Sequence, residues 1–535
     1  MLTVTWLRIG AELVQADLND LIQTAERLEL LVRNGALPEA RAMLSETLVS
    51  ETADPNPDAI SIHGGLAWLF DRLADAAGDY AYRVKANGYG QTARLLDPND
   101  ALALAVLPDR EVELVAHNLL RHRKSVMARR LLERLRDRSA SAVQLLALLD
   151  FVDLEKQRIQ DLPPSGEGRT APLMINAIVW GDAYLDALFA YGLPSLLAPG
   201  NLPAVARDRE IIFDFYTRER DRPRIDSHPS VVAVKRFAKF RYNLIPEAVL
   251  AEDLTDAARW CAGAAQQCSA LRAKQLGADL LFLCGSAVYS DHCLQSSYGF
   301  LAEGYKAVVC IAPRTYESRA GSELSDYAQV GDGRIEATAE GLSNFIVRNL
   351  HRHARACFIG PEAQTVSQNP VALFFRDTGG FVCRTYEPNP LIISRTLLSR
   401  EIEIDYFTID VRFISELLGD VAYDEVIKVA TNAADGIAVT DVDYGDTTDI
   451  RDYGDIELSV ATCASGVLLT ATRESDLAFF RWALSHRYRF DGQKGADLLP
   501  CGDEEGATIT ALLNAVEKGQ AAARSRITVY GRLSP

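Results

Sequence analysis

The sequence predicts a two-part protein, an all-α front followed by an α/β domain on a mostly parallel sheet. Three observations predict it. Apolar residues at helical spacing, without strand-like runs, fill about the first 160 positions. A break rich in proline, glycine and charge follows at Asp161 to Pro172 (DLPPSGEGRTAP), and it has no apolar period. Beyond it, short apolar runs alternate with longer helical stretches, as in a sheet covered on both faces by crossover helices. The expected division is a helical domain over 1–160, a linker over 161–172 and an α/β domain with a helical tail over 173–535.

In the front part, Leu21 to Val32 has helical spacing, Gly35 and Pro38 interrupt it, and Glu39 to Leu48 resumes it. A second unit runs from Leu66 to Ala77, turns at Gly78-Asp79 and continues from Tyr80 to Leu96, ending at Asp97-Pro98-Asn99. Val126 to Leu135 belongs to a third, degenerate unit. Helix, Gly-Asp turn, helix and a Pro-containing stop resemble a tetratricopeptide repeat, although its strict period is not kept. Such units bury their apolar faces by stacking and present a surface to a protein partner. A plain helical packing domain fits the same residues.

In the second part, strands are expected at Leu173 to Trp180, Glu210 to Thr217, Ala278 to Cys284 and Lys306 to Ala312. Helices are expected between them at Asp182 to Leu197, Leu254 to Gly277 and His292 to Gly304. Shorter strands follow at Val371 to Phe375, Gly380 to Thr385, Leu391 to Ser394, Ile402 to Thr408 and Gly436 to Asp441. From Ala471 the tail reads as mostly helical.

The net charge of −17 argues against nucleic acid as the main partner, because phosphate backbones demand a basic footprint. No run reaches the roughly 18 apolar residues of a membrane helix, and no signal peptide is legible near Met1. The nine cysteines form no CxxC pair, which fits reduced thiols in a cytoplasmic protein. No Walker A, GxSxG, HExxH or GxGxxG sequence occurs, which removes the commonest P-loop, hydrolase, zincin and dinucleotide readings.

Ligands of open α/β sheets bind outside the carboxyl ends of the strands, so the candidates are sought there. Asp291 follows the third strand and either serves the site or, with Ser290, caps the next helix. Asp410 follows an apolar run, as a base, a metal ligand or the cap of a helix starting at Val411. Asp441 and Asp443 form a DxD whose carboxylates point the same way on an extended segment. They also begin an acidic run of six aspartates up to Asp455, which reads as a solvated loop. Arg314 and Arg384 are candidate phosphate clamps or surface ion pairs. Asn201 is a candidate contact or a turn filler. His351 is spaced from His353 so that the two do not share a helix face.

The ordered segments VWGDAYLD (Val179 to Asp186), LPSLLAPGNLPA (Leu193 to Ala204), LLFLCGSAVYSD (Leu280 to Asp291) and GYKAVV (Gly304 to Val309) carry a resemblance. So do NLHRH around His351, Asn369-Pro370, RTYEPNPLII (Arg384 to Ile393), FTID ending at Asp410, and Thr440 to Ser459. Together they resemble bacterial nucleotide-diphospho-sugar transferases, the GT-A-type glycosyltransferases. The resemblance implies a Rossmann-like sheet that binds a nucleotide-sugar donor and passes the sugar to a glycan or protein acceptor, with the helical front recruiting that acceptor or a partner. It implies substrate contacts at Trp180, Asp182, Asn201, Ser286, Arg314, His351 and Arg384. Catalytic acids are expected at Asp410 and Asp291, and a divalent ion, Mn²⁺ or Mg²⁺, on Asp291, Asp441 and Asp443. The sequence departs from the family where an aspartate should follow the third strand and Cys284-Gly285-Ser286 stands instead. That departure favours the alternative, a non-catalytic binding or scaffold protein on the same fold.

Overall fold

A computed structural model of the chain describes residues 15–33, 62–77, 123–163, 170–250, 255–355, 357–359, 372–377, 379–404, 406, 411–418, 422–431, 433–443, 474–491 and 505–518, with isolated positions between 36 and 120. The chain divides into two compact units, Met1–Leu146 with Ser525–Pro535, and Ala147–Arg524. The boundary falls ahead of the linker expected at 161–172, within the helix Ala140–Gln160.

The first unit is helical where it is described. Gln15–Arg33 and Ile62–Ala77 meet through Ala25, Leu28 and Val32 on one side and Leu66, Ala67, Phe70 and Leu73 on the other. These positions recur every three or four residues, so each helix turns one apolar stripe inward. Lys85 reaches back to Glu29 at 2.8 Å and lies over the Phe70 ring. Ser125–Leu135 buries Ala128, Leu131, Leu132 and Leu135. The expected turn at Gly78-Asp79 and most of 80–96 lie outside the described residues. Among the described residues, no helix is long and apolar enough to cross a membrane.

The second unit is built on a seven-stranded sheet. Its strands are β1 (Leu173–Ile178), β2 (Ile211–Thr217), β3 (Lys239–Leu244), β4 (Asp279–Leu283), β6 (Ala307–Cys310), β12 (Asn389–Ile393) and β13 (Ile427–Val429). The order is β13-β6-β12-β4-β1-β2-β3. The pairs β1–β2, β2–β3, β1–β4 and β6–β13 are parallel, and β12 runs antiparallel between β4 and β6. The chain builds β1, β2 and β3 outward in one direction and then returns to lay β4 on the other side of β1. The strand order therefore reverses between β1 and β4, which is where such sheets open a crevice.

Two small sheets accompany it. One joins β5 (Ala287–Tyr289), β14 (Val439–Asp443) and β7 (Arg314–Tyr316) in the order β5-β14-β7. The other joins β10 (Ala372–Asp377), β11 (Gly380–Thr385) and β15 (Tyr488–Asp491). A hairpin of β8 (Ala328–Gly331) and β9 (Arg334–Ala337) turns at Asp332-Gly333.

Most expected elements are present, with three departures. The helix expected from Asp182 to Leu197 is Asp182–Ala187, a π turn at Leu188–Gly192 and Leu193–Leu196. Residues 402–404, inside the strand expected at Ile402 to Thr408, have no regular structure, and most of the rest of that span lies outside the described residues. Seven described strands were not anticipated: β3, β5, β7, β8, β9, β13 and β15. Within the tail, β15 interrupts the expected helices.

A buried charge network crosses one face of the main sheet. Asn176, Asp214 and Arg241 occupy one row across β1, β2 and β3. The helix Thr255–Leu276 lies over them and inserts Arg272, which is fully buried. Arg272 Nη1 donates to both Asp214 oxygens at 2.7 and 2.6 Å and to the Tyr216 hydroxyl at 3.0 Å, and Nη2 donates to Glu155 at 2.5 Å. Asp214 also accepts from Ser269 at 2.6 Å and Asn243 at 2.9 Å. Burial pushes the Tyr216 hydroxyl well above its ordinary value, so it stays neutral.

Removing one partner of a buried ion pair leaves an uncompensated charge and costs about 3–5 kcal/mol, whereas an exposed ion pair contributes about 1 kcal/mol or less. Arg272→Ala is therefore expected to destabilise the second unit by about 3–5 kcal/mol in chemical denaturation. Arg241→Ala, at the partly exposed rim of the same network, should cost about 1 kcal/mol or less. Equal effects in the two variants would refute this ranking.

Candidate functional site

A cavity of about 610 Å³ opens at the reversal point, outside the carboxyl ends of β1 and β4. Ile178, Val179 and Trp180 come from the end of β1, and Leu283, Cys284, Gly285 and Ser286 from the end of β4. Because β12 runs the other way, its first residues, Asn389 and Pro390, reach the same edge. The helix Thr255–Leu276 supplies Arg259, Ala262 and Gln266, spaced three and four residues apart on one helix face. Arg314 enters from β7, and Tyr184, 64% exposed, stands at the lip.

Two glycines set the outline. Gly181 follows Trp180 at φ +82°, a backbone region that side chains resist. Its N–H donates to Asp221 at 2.9 Å, and Arg218 holds the same carboxylate through Nε at 2.8 Å and Nη2 at 3.1 Å. Burial raises the Asp221 pKa, but these hydrogen bonds and the Arg218 charge outweigh it, and the group sits below the usual carboxylate range. At Gly192, in the π turn, a Cβ would lie 2.6 Å from the Gly285 carbonyl oxygen. Only a glycine lets that turn pass so close under the Cys284-Gly285-Ser286 loop.

That loop faces the small sheet. Asp441 of β14 pairs in register with Ala287 of β5 and Arg314 of β7. The Ser286 hydroxyl donates to Asp441 Oδ1, the Cys284 thiol lies 3.6 Å from the same oxygen and 3.3 Å from Ser286 Oγ, and Arg314 Nε is 3.7 Å from Asp441 Oδ2. Cys284 opens onto the cavity yet is ringed by protein. Burial first, and the Asp441 charge second, push its thiol up to about 12. That direction favours the neutral thiol near pH 7, the less reactive form.

The cavity thus gathers Trp180, Ser286 and Arg314 from the expected contacts, with Asp441 immediately behind Ser286. The other candidates are placed elsewhere. Asp182 is exposed and pairs with Arg224 at 2.8 Å. Asn201 is fully buried, donating to the carbonyls of Ser195 and Ser290 and accepting from the Leu294 N–H, so it fastens loops together. Asp291 accepts from the backbone N–H of Gly200 at 2.7 Å and of His292 at 2.9 Å, a clasp at the far end of β5 from Asp441. His351 is buried against the Tyr316 ring, and its N–H donates to the Arg314 carbonyl at 2.8 Å. Arg384 is buried in β11, bound to Glu505 and to the carbonyls of Leu484 and Ser485. None of these five lines the cavity. Asp410 and the Asp443 side chain lie outside the described residues, as do the later aspartates of the acidic run; the Asp443 backbone pairs with Tyr316.

Sequence reasoning missed Arg259, Gln266, Asn176 and Asn389. The signal for the first two was present: Arg259, Ala262 and Gln266 fall on one face of the long helix that leads into β4. Among the described residues, no group of three or more His, Cys, Asp or Glu side chains is arranged to hold a metal. Near the cavity a divalent ion would meet one carboxylate, Asp441, a hydroxyl and a neutral thiol, whereas Mg²⁺ and Mn²⁺ favour several oxygen ligands. No protein-family model and no curated protein matches the chain.

With its pKa near 12, the Cys284 thiol is expected to alkylate roughly a thousandfold more slowly at pH 8 than an ordinary cysteine of pKa about 8.5. Removing the neighbouring charge lowers a thiol pKa, so Asp441→Asn should speed alkylation. Peptide mapping by mass spectrometry after iodoacetamide treatment reads both, and slowing in the variant would contradict the assignment.

Proposed function

We propose that the α/β unit is a glycosyltransferase, which moves a sugar from a nucleotide-sugar donor to a glycan or protein acceptor. The observation that carries this reading is the cavity at the reversal between β1 and β4. It has the volume of a small-molecule site, and its described lining offers two guanidinium groups, Arg259 and Arg314, and no carboxylate. In a chain of net charge −17, that is a local preference for an anion. A nucleoside diphosphate is such an anion, with flat, partly apolar parts suited to Trp180 and Tyr184 and hydrogen-bonding edges suited to Asn176, Gln266 and Asn389.

In this reading the chain's residues act by position and charge. Arg314 and Arg259 stabilise the negative charge that grows on the departing diphosphate. Ser286 is held by Asp441 and offers its oxygen to the donor or the acceptor. Gly181 and Gly192 keep the Trp180 and Cys284-Gly285-Ser286 loops close enough to form one floor. The base that activates the acceptor is sought at Asp441 or, beyond the described residues, at Asp410. A divalent ion belongs to the expectation from the resemblance, and Asp441 with Asp443 is the pair that would meet it. The helical front part, tetratricopeptide-like in its sequence, is proposed to recruit the acceptor or a partner protein.

The second reading, a binding or scaffold protein on this fold, is favoured by one observation: the third strand ends in Cys284-Gly285-Ser286 and not in an acid. Differential scanning fluorimetry with UDP-, GDP-, CMP- and TDP-linked sugars, with and without Mn²⁺, tests the proposal. A live site at about 100 Kd of donor gains about 2.7 kcal/mol by mass action, a shift of a few degrees. A flat response to every donor would sink the enzyme reading. A shift without turnover on any acceptor would favour the binding protein.

A further inference from the structure

We propose that this cavity takes the phosphate groups of its ligand on guanidinium groups, Arg259 and Arg314, and not on a metal ion. The inference deepens the nucleotide-sugar reading and rests on it for the identity of the ligand, but its chemistry needs only a phosphate-bearing anion.

The donor set carries the argument. Arg259 comes from the helix Thr255–Leu276 and Arg314 from β7, so the two enter the cavity from different elements. The helix that carries Arg259 is fixed by the buried Arg272–Asp214 pair, so Arg259 projects from an anchored support. Arg314 is half exposed and rests 3.7 Å from Asp441, at the limit of an ion pair rather than in a tight one.

Asp441 is poorly placed to serve a cation instead. One of its oxygens already accepts the Ser286 hydroxyl and lies 3.6 Å from the Cys284 thiol, while the other faces Arg314. A metal arriving there would meet that guanidinium and displace those donors. The loop between β4 and β5 adds neutral donors, a hydroxyl and a thiol that burial keeps protonated, so nothing on it repels an anion.

The test uses the full chain dialysed against EDTA and titrated calorimetrically with inorganic pyrophosphate and with nucleotide-sugars, then again in Mn²⁺. Binding is expected in EDTA, with little change on adding Mn²⁺. Arg314→Ala and Arg259→Ala should each weaken it about ten- to a hundredfold, the loss of a charge-assisted hydrogen bond. Arg314→Lys keeps the charge but not the fork, should lose less, and guards against a folding failure of the alanine variant. Asp441→Asn is the deciding variant. It removes a negative charge beside Arg314 and should leave pyrophosphate binding equal or tighter, whereas a metal ligand at Asp441 makes the same change abolish binding. Nucleotide-sugar binding that appears only with Mn²⁺, or that is lost in Asp441→Asn, overturns this inference and leaves the transferase reading standing. Pyrophosphate binding in EDTA without a response to any nucleotide-sugar does the reverse. Binding of neither overturns both.

Discussion

The fully buried guanidinium of Arg272 between Asp214 and Glu155 is the constraint on which the second unit depends. Ions taken out of water are costly unless every donor and acceptor is met, and this network nearly meets them. It fixes the axial position of the long helix over β1, β2 and β3. The same helix carries Arg259 to the cavity mouth, thirteen residues from Arg272 and about 20 Å along the helix axis. Asn176 ties the two regions together: its side chain donates to Ser269, which donates to Asp214, and it also lines the cavity. A change in the charge network is therefore felt at the cavity wall.

The cavity has an electrostatic character opposite to that of the chain as a whole. Acidic residues outnumber basic ones, 73 to 56, yet the described lining carries arginines, amides, a hydroxyl and a thiol. Fields concentrate in a cleft with low-dielectric walls, so two guanidinium groups there outweigh a larger number of solvated carboxylates elsewhere. Asp441 stands directly behind this lining. Its bonds run to Ser286, Cys284 and Arg314, the residues that form the floor, and they hold that floor in shape.

Strands β1, β2, β4 and β6 and the helix Thr255–Leu276 were legible because each is a sustained apolar pattern. The reversal between β1 and β4 was not, because strand order is a tertiary fact. β3 went unread because its sequence, Lys-Phe-Arg-Tyr-Asn-Leu, alternates charged and aromatic residues. That is the pattern of an edge strand whose Phe240 and Tyr242 pack on β2. The β8–β9 hairpin carried a signal, Asp332-Gly333 between short runs, that goes unnoticed without strong hydrophobicity on either side. Of the residues sought at strand ends, Trp180, Ser286 and Arg314 lie along the cavity and Asp441 lies behind Ser286. Away from the cavity, Asn201 and Asp291 satisfy backbone groups, closer to their structural alternatives than to ligand contacts, and Arg384 binds Glu505 and helix-end carbonyls. Polar residues in loops serve buried backbone as often as they serve ligands, and only coordinates separate the two uses.

The helix Ala140–Gln160 has a practical consequence for anyone who wishes to cut the chain. The Pro- and Gly-rich stretch after it invites a truncation that begins near residue 170 and keeps every strand. Such a fragment would discard Glu155, whose carboxylate shares the Arg272 guanidinium at zero exposure. It would also discard Leu162, whose carbonyl accepts from Gln275 at 2.8 Å. The smallest piece that retains its own electrostatic keystone begins upstream of that helix, where Ser139 accepts the Ala142 N–H and opens it.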